Sequence, residues 1–340
     1  MGIPENKKIP LERKFKKGKL NLITDVPGVR VGQVTLNDDE KNIHTGVTTI
    51  IPGEGNLFRN KVTGGVAIIN GFGKSAGLIQ IEELGTIETP IVMTNTFAVG
   101  TALNALTKYM MDENPEIGVS TGTVNCIVTE CNDGGLNDIR GMHIKEQDVL
   151  NSVLCADKSF REGAEGAGTG MICMGLKGGI GSSSRIIHCD GKDYTIGVIL
   201  LSNFGKEGNL KINGLPVQKN IAFNSEEKGS CIIVTGTDLP LNERQLKRVA
   251  KRTATGLART GSFFGNGSGD IAIAFSNGNR IPHFSDKKIF DVKMFNDSKA
   301  DEIFEAVAEA TEEAVVSSLY HGKTITGIRN CTVKSLMDSL

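Results

Sequence analysis

The strongest constraint on the fold of this chain is a set of short β-branched runs that are apolar on consecutive positions. They are Val66-Ala67-Ile68-Ile69, Cys126-Ile127-Val128-Thr129, Ile196 to Leu201, Cys231 to Thr235 and Ile271 to Phe275. A strand with one wet face alternates apolar and polar residues, whereas an unbroken apolar run is covered on both faces. Something must supply that cover, and two segments have the helical period to do so. Asn242 can cap a helix with Gln245 at the reciprocal position, and Leu246, Val249, Ala250, Thr253 and Leu257 follow at helical spacing, with Gly261 shortly past the end. A second helix is predicted from Ala300 to Leu319, with Ile303, Phe304, Val307, Thr311, Ala314, Val315 and Leu319 as its apolar stripe and Asp301, Glu302 and Glu305 near its positive end. Strands covered on both faces and helices with one apolar side predict a layered α/β sandwich.

Composition narrows the function. The 340 residues include 42 glycines, where average usage gives roughly 24, and they cluster between the apolar runs, where backbone bends or approaches something closely. Lys and Arg total 38 against 39 Asp and Glu. That balance offers no general attraction for nucleic acid or an anionic membrane. The basic stretch Arg244, Lys247, Arg248, Lys251 and Arg252 therefore reads as a solvated helix face. No apolar run approaches the ~18 residues needed to span a bilayer. The first 20 residues carry seven basic and two acidic side chains without an apolar stretch, and so read as a solvated tail. Asn6 breaks the pattern for N-myristoylation that Met1-Gly2 begins. Seven cysteines, odd in number and without a CxxC pair, read as reduced thiols of a cytoplasmic protein.

The familiar ligand motifs are missing. Gly73-Lys74-Ser75 has Ile68 where a phosphate-binding loop needs its first glycine, and Gly166-Ala-Gly168-Thr-Gly170 and Gly265-Asn-Gly267-Ser-Gly269 lack the dinucleotide spacing. His44, His143, His188, His283 and His321 are scattered with no HExxH, so no metal site is expected. Gly181-Ser182-Ser183-Ser184 lacks the closing glycine of a nucleophile elbow. What remains is four Gly-Ser steps, at Ser182, Ser230, Ser262 and Ser268. A hydroxyl directly after glycine meets an uncrowded carbonyl. Attack there shifts the acyl group from N to O, and hydrolysis then cuts the chain. The new N-terminal residue carries a nucleophile and an α-amine base with a pKa of about 7.7–8.0. Only Gly229-Ser230 follows a long polar loop (206–229) and directly precedes a strand. Cys231, one residue on, points opposite in a strand and reads as buried. Asp133 and Asp138, each beside Gly or Asn, read as turn and capping residues.

Several ordered blocks resemble one family. TDVPGVRVG (Thr24 to Gly32), TGVTTIIP (Thr45 to Pro52), the run from Asn70 to Gly100, GAGTGMICMGLKGGIGSSSR (Gly166 to Arg185) and the run from Gly229 to Ser262 are similar to the L-aminopeptidase/D-amidase-esterase family, which includes the β-peptidyl aminopeptidases. The likeness covers about residues 20 to 335. It implies a four-layer αββα sandwich of the N-terminal-nucleophile-hydrolase kind. It implies a single domain, 1–340, processed into 1–229 and 230–340. It also implies a serine aminopeptidase or amidase that works on short peptides, amides or esters through an acyl-enzyme on Ser230. Ser268 and Asp270 match the supporting residues, Asn203 the oxyanion donor and Glu130 the acid that receives the substrate ammonium, with Asn132 beside it. Many members carry Glu at Asp270, and some carry Tyr at Asn132. The resemblance further implies no cofactor, a small peptide or amino-acid amide as the partner, and a homo-oligomer of processed protomers. An acyltransferase related to ornithine acetyltransferase and a non-catalytic binding protein of the same fold are the alternatives.

Overall fold

Register and burial decide how the apolar runs are used. The computed structural model describes residues 11–217, 227 and 229–340. The expected tail over residues 1–10 and residues 218–226 and 228 of the polar loop lie outside the described residues. In chain order the elements are β1 (Arg30–Asp38), β2 (Ile43–Ile51), β3 (Asn60–Gly71), α1 (Leu78–Leu84), β4 (Thr86–Ile87), β5 (Ile91–Asn95), α2 (Val99–Glu113), β6 (Ile127–Cys131) and α3 (Glu146–Leu154). The hairpin β7 (Ile172–Cys173) and β8 (Leu176–Lys177) follows, then β9 (Gly179–Cys189), β10 (Lys192–Asn203), a small hairpin β11 (Lys211–Ile212) and β12 (Leu215–Pro216), β13 (Ser230–Thr237) and α4 (Glu243–Arg259). The chain closes with β14 (Gly269–Pro282), α5 (Asp301–Tyr320), β15 (Ile325–Gly327), β16 (Cys331–Val333) and α6 (Leu336–Ser339).

Two sheets carry the fold. One has the order β1-β2-β5-β6 and the other β4-β3-β14-β13-β10-β9. Side chains alternate between two cores. Ile199, Leu201, Ile232, Val234, Ile271, Ile273 and Phe275 point to the first sheet, where Val47, Ile50 and Val92 meet them. Val198, Leu200, Cys231, Ile233, Ala272 and Ala274 point the other way, onto α4 and α5. Helices α2 and α3 cover the outer face of the first sheet. The order helix, sheet, sheet, helix is the four-layer sandwich that the family resemblance implies, and the consecutive apolar runs are explained by it.

The predicted helices stand. Asn242 Oδ1 accepts the Gln245 N–H at 2.9 Å and Gln245 Oε1 accepts the Asn242 N–H at 3.1 Å, the reciprocal cap of α4. Gly256 lets α4 lie close on α5, because a Cβ there would stand 2.6 Å from the Ala308 carbonyl oxygen. Four of the five basic residues named on α4 have partners. Arg244 meets Asp297, Lys247 meets Glu82, and Arg248 and Arg252 lie over the Phe304 ring at 4.8 and 4.4 Å.

One boundary differs from expectation. The run ending at Thr129 continues as strand through Glu130 and Cys131, because β5 pairs beside it in parallel, Thr94 with Glu130 and Asn95 with Cys131. Glu130 is thus a buried residue in a strand, held by the ladder, and does not project from a loop.

Candidate active site

β10 runs antiparallel to β13, and β14 runs parallel to it. The C-terminal end of β10 therefore meets the N-terminal ends of β13 and β14. In register, Asn203 faces Ser230, and Ser230 faces Gly269. This topology alone gathers Asn203, Gly229, Ser230, Ser268 and Asp270 at one edge of the second sheet. The peptide before Ser230 is tightly seated. The Gly229 carbonyl accepts the Gly269 N–H at 3.1 Å. A Cβ on Gly229 would stand 2.2 Å from the Asn203 carbonyl oxygen, so only glycine fits. Ser230 is 4% exposed, and its hydroxyl has no hydrogen-bond partner among the described residues. An orphaned buried hydroxyl costs about 1–3 kcal/mol, which marks the position as kept for something other than stability.

Cys231 points to the helix side and is fully buried, as its place in a strand implies. Burial pushes its thiol well above the ordinary range. Cys131, from the first sheet, donates to the Leu201 carbonyl at 3.7 Å. Its thiol too is pushed up by burial, and the nearby Ser230 hydroxyl acts in the opposite direction. The two groups do not meet in hydrogen-bond geometry.

Ser268 and Asp270 lie on one side of the chain at the start of β14. Ser268 Oγ donates to Asp270 Oδ1 at 2.9 Å, and Asp270 Oδ2 has no partner among the described residues. Burial pushes the Asp270 carboxyl up to about 6, the Ser268 hydrogen bond pulls it down, and the charge of Glu227 adds to the rise. The Ser268 N–H closes a turn onto the Gly265 carbonyl at 2.9 Å, and Asn70 Nδ2 braces that carbonyl at 3.0 Å.

The amide of Asn203 is oriented from both ends. Its Oδ1 accepts the Ile172 N–H at 2.9 Å, and its Nδ2 donates to the Asn132 carbonyl at 3.1 Å. The Met171–Ile172 peptide that fixes it is gripped on its other side by Lys177. Fully buried, Lys177 donates to the carbonyls of Gly168, Met171 and Gly178 at 2.9, 2.8 and 2.7 Å. The sequence reading missed this residue. Its one signal was a lone lysine inside the glycine-rich run GLKGG.

Burial pulls the Lys177 pKa down from 10.5 to about 7. The unfolded chain then holds more protons than the folded one between about pH 7 and 10.5. This group's contribution to stability therefore rises with pH across that window, and its penalty is present in full below it. Lys177→Met is expected to destabilise the fold above about pH 7, where the ionisation penalty falls away and buried carbonyls lose their donor. It should also flatten the rise in stability from pH 7 to 9.5. Urea unfolding of both proteins at several pH values tests this, and parallel curves would refute it.

Glu130 and Asn132 arrive from the end of β6. Glu130 Oε1 accepts the Lys74 N–H at 2.8 Å, and Oε2 accepts the Thr96 hydroxyl. A Cβ on Gly73 would stand 3.1 Å from Glu130 Oε1 and 3.8 Å from the Cα of Gly269, the residue paired with Ser230 across the ladder. Asn132 is exposed. Its side chain accepts the Gly134 N–H at 2.9 Å, and its carbonyl is the group that holds Asn203. Asp133 has the expected turn role through its carbonyl, which accepts from Leu136 and Asn137, but its side chain is also fully buried, and burial raises it to about 6. Asp138 precedes the turn Ile139–Gly141 without a side-chain cap bond. Within the long polar loop, Glu227 is buried, a placement that no local pattern marks.

The model of Peptidase family S58 matches residues 21–333. The chain is 36% identical over 347 residues to the beta-peptidyl aminopeptidase BapA of Sphingosinicella microcystinivorans, covering 94% of this chain and 86% of that one. In structure it is similar to a protein of Pyrococcus horikoshii OT3, at 49% identity and a TM-score of 0.92 over 97% of this chain and 95% of that one. It is also similar to the L-aminopeptidase D-Ala-esterase/amidase of Ochrobactrum anthropi, at 35% identity and a TM-score of 0.89 over 96% and 93% of the two chains. That enzyme is described as a prototype for the serine aminopeptidases and as a new variant among the Ntn hydrolase fold.

Proposed function

The chain belongs to peptidase family S58, and from that premise we propose that it is a self-processing serine aminopeptidase that releases the N-terminal residue of short peptides, amides or esters. The observation that carries this reading is the Gly229–Ser230 junction, where a carbonyl already held by the Gly269 N–H adjoins a buried, unspent hydroxyl.

In the first reaction Ser230 Oγ attacks the Gly229 carbonyl carbon. The charge that develops on the Gly229 oxygen is met by the Gly269 N–H. The C–N bond breaks as the ester to Oγ forms, and the hydroxyl proton ends on the freed α-amine. Water then hydrolyses the ester, leaving a carboxylate on Gly229 and a free hydroxyl on Ser230. The chain becomes two pieces, 1–229 and 230–340.

In turnover the same hydroxyl attacks the substrate carbonyl, and the new α-amine takes its proton and passes it to the leaving amine. Asn203 donates to the oxyanion. Ser268 and Asp270 hold the α-amine network, and Glu130 receives the substrate ammonium. Asn132 borders the pocket and, through its carbonyl, supports Asn203. Water releases the acyl group. Every step uses side chains, main chain and water.

Intact mass under denaturing conditions tests the reading. Active protein is expected as pieces of about 24 and 12 kDa by residue share of 36.3 kDa. Active protein that stays one chain would defeat it.

Substrate selection is tested at Glu130. Its carboxylate is held by two donors and keeps lone pairs for a third. A charge-assisted bond to the substrate ammonium contributes roughly 1.5–3 kcal/mol. Acetylating the substrate amine is expected to lower kcat/KM by roughly ten- to a hundredfold, and Glu130→Gln to do the same on the free amine, with little further loss on the acetylated substrate. General damage would slow both substrates alike. If the unmodified enzyme cleaves both equally, the ammonium contact does not exist.

No helix among the described residues is long and apolar enough to cross a membrane. The proposal places the enzyme in the cytoplasm, supported by seven unpaired thiols. It takes the working form as an oligomer of processed protomers, on the family likeness. Light scattering that reads a single processed protomer would remove the oligomer.

A further inference from the structure

We propose that Glu227 is the anchor that seats the chain for its own cleavage, pinning the residues ahead of the Gly229–Ser230 bond onto the turn that carries Ser268, and that it serves this one reaction and not later turnover. The inference rests on the self-processing reading above and deepens it.

Glu227 stands three residues before Ser230 and is 9% exposed. Its Oε2 accepts the Gly265 N–H at 2.9 Å, while Oε1 is buried and without a partner among the described residues. The turn is shaped to receive it. A Cβ on Gly265 would stand 2.6 Å from Glu227 Oε2 and 2.9 Å from its Cβ, and a Cβ on Gly267 would stand 3.4 Å from its carbonyl oxygen. Gly265 thus leaves the space that Glu227 fills, and Gly267 borders it at ordinary contact distance. The same turn is braced from its other side, since Asn70 Nδ2 donates to the Gly265 carbonyl.

Two residues further on, the Gly229 carbonyl takes the Gly269 N–H. Glu227 and Gly229 are therefore held at two points, the N–H groups of Gly265 and Gly269, which flank Ser268. A clamp of this kind fixes the distance and angle between the Ser230 hydroxyl and the carbonyl carbon that it attacks. Positional errors of about an ångström cost on the order of a hundredfold in rate.

Cleavage undoes the anchor. Hydrolysis leaves a new carboxylate on Gly229, beside Glu227 and close to Asp270, whose proton affinity the charge of Glu227 already raises. Like charges so close in a buried site repel. The contacts that hold Glu227 and Gly229 before the cut are weakened after it.

Brief pulses of cell-free synthesis, followed by intact mass over time, separate the possibilities. Glu227→Ala is expected to slow conversion about ten- to a hundredfold. Glu227→Gln, whose amide oxygen still accepts the Gly265 N–H, should return conversion to within about threefold of the parent. For both variants kcat/KM per cleaved chain should stay within about twofold of the parent. Conversion of the Ala variant at the parent rate would overturn the anchor. So would a Gln variant as slow as Ala, or turnover per cleaved chain that falls along with conversion. If the parent itself never cleaves, the self-processing reading falls and the anchor with it. If parent and variants all cleave at one rate, the anchor alone falls.

Discussion

Ser230→Ala is expected to stay one uncut chain and to lose turnover by about 10⁴-fold or more. Two losses compound in this variant. The hydroxyl that attacks the Gly229 carbonyl is gone, so no α-amine is released, and the nucleophile for substrate is gone with it. Stability should move the other way. The Ser230 hydroxyl is buried and unpartnered, so removing it deletes a polar group that the fold does not satisfy. The midpoint of thermal unfolding for Ser230→Ala is expected at or above that of a parent kept uncut, because an unpaired buried hydroxyl costs about 1–3 kcal/mol. Inactivity with undiminished stability is what a residue retained for chemistry should produce. Ser230→Cys keeps a nucleophile of similar size and is expected to retain part of the cleavage. Intact mass, residual activity and unfolding midpoint on the same preparations decide the matter. A Ser230→Ala chain that is still cut at the same bond and still active would exclude Ser230, and Ser268 would be the next residue to test.

A layered α/β sandwich was legible from local pattern, while the number and order of its layers came from the family resemblance. Runs such as Ile271 to Phe275 announced strands covered on both faces, and Asn242 with Gln245 announced the start of α4. Ser268 and Asp270 were singled out by the family resemblance, and their spacing of two in extended chain then puts them on one side. The run ending at Thr129 stopped short of Glu130 and Cys131 because the extension of β6 depends on β5, more than thirty residues earlier. Lys177 and Glu227 were invisible for a different reason. A charge is buried only when partners from elsewhere satisfy it, here carbonyls of the glycine-rich loop and the N–H of Gly265. Nothing in the neighbouring residues of either one encodes those partners.

Asn203→Ala is expected to lower kcat by about 10²–10³-fold, with KM changed far less. The size follows from what the amide has left to give. Its Oδ1 is tied by the Ile172 N–H, and one of the two Nδ2 protons goes to the Asn132 carbonyl. The other proton is the donor that remains, on a residue directly across the ladder from Ser230. A flipped amide would set oxygen against the Asn132 carbonyl and NH₂ against the Ile172 N–H, so the donor end is fixed before substrate arrives. Preorganisation of that kind acts where charge develops and leaves ground-state binding almost unaltered, which is why the loss should fall on kcat. Asn203→Asp provides the control. It keeps the shape and the acceptor for Ile172 but sets a carboxylate oxygen against the Asn132 carbonyl, and it has no N–H to offer. Its kcat is expected at or below that of the Ala variant. Both variants must be measured per cleaved chain, with the cleaved fraction read by mass, because in the proposed self-cleavage the donor is the Gly269 N–H that already bonds the Gly229 carbonyl. An Asn203→Ala enzyme whose kcat per cleaved chain lies within threefold of the parent would show that the oxyanion is held by other groups.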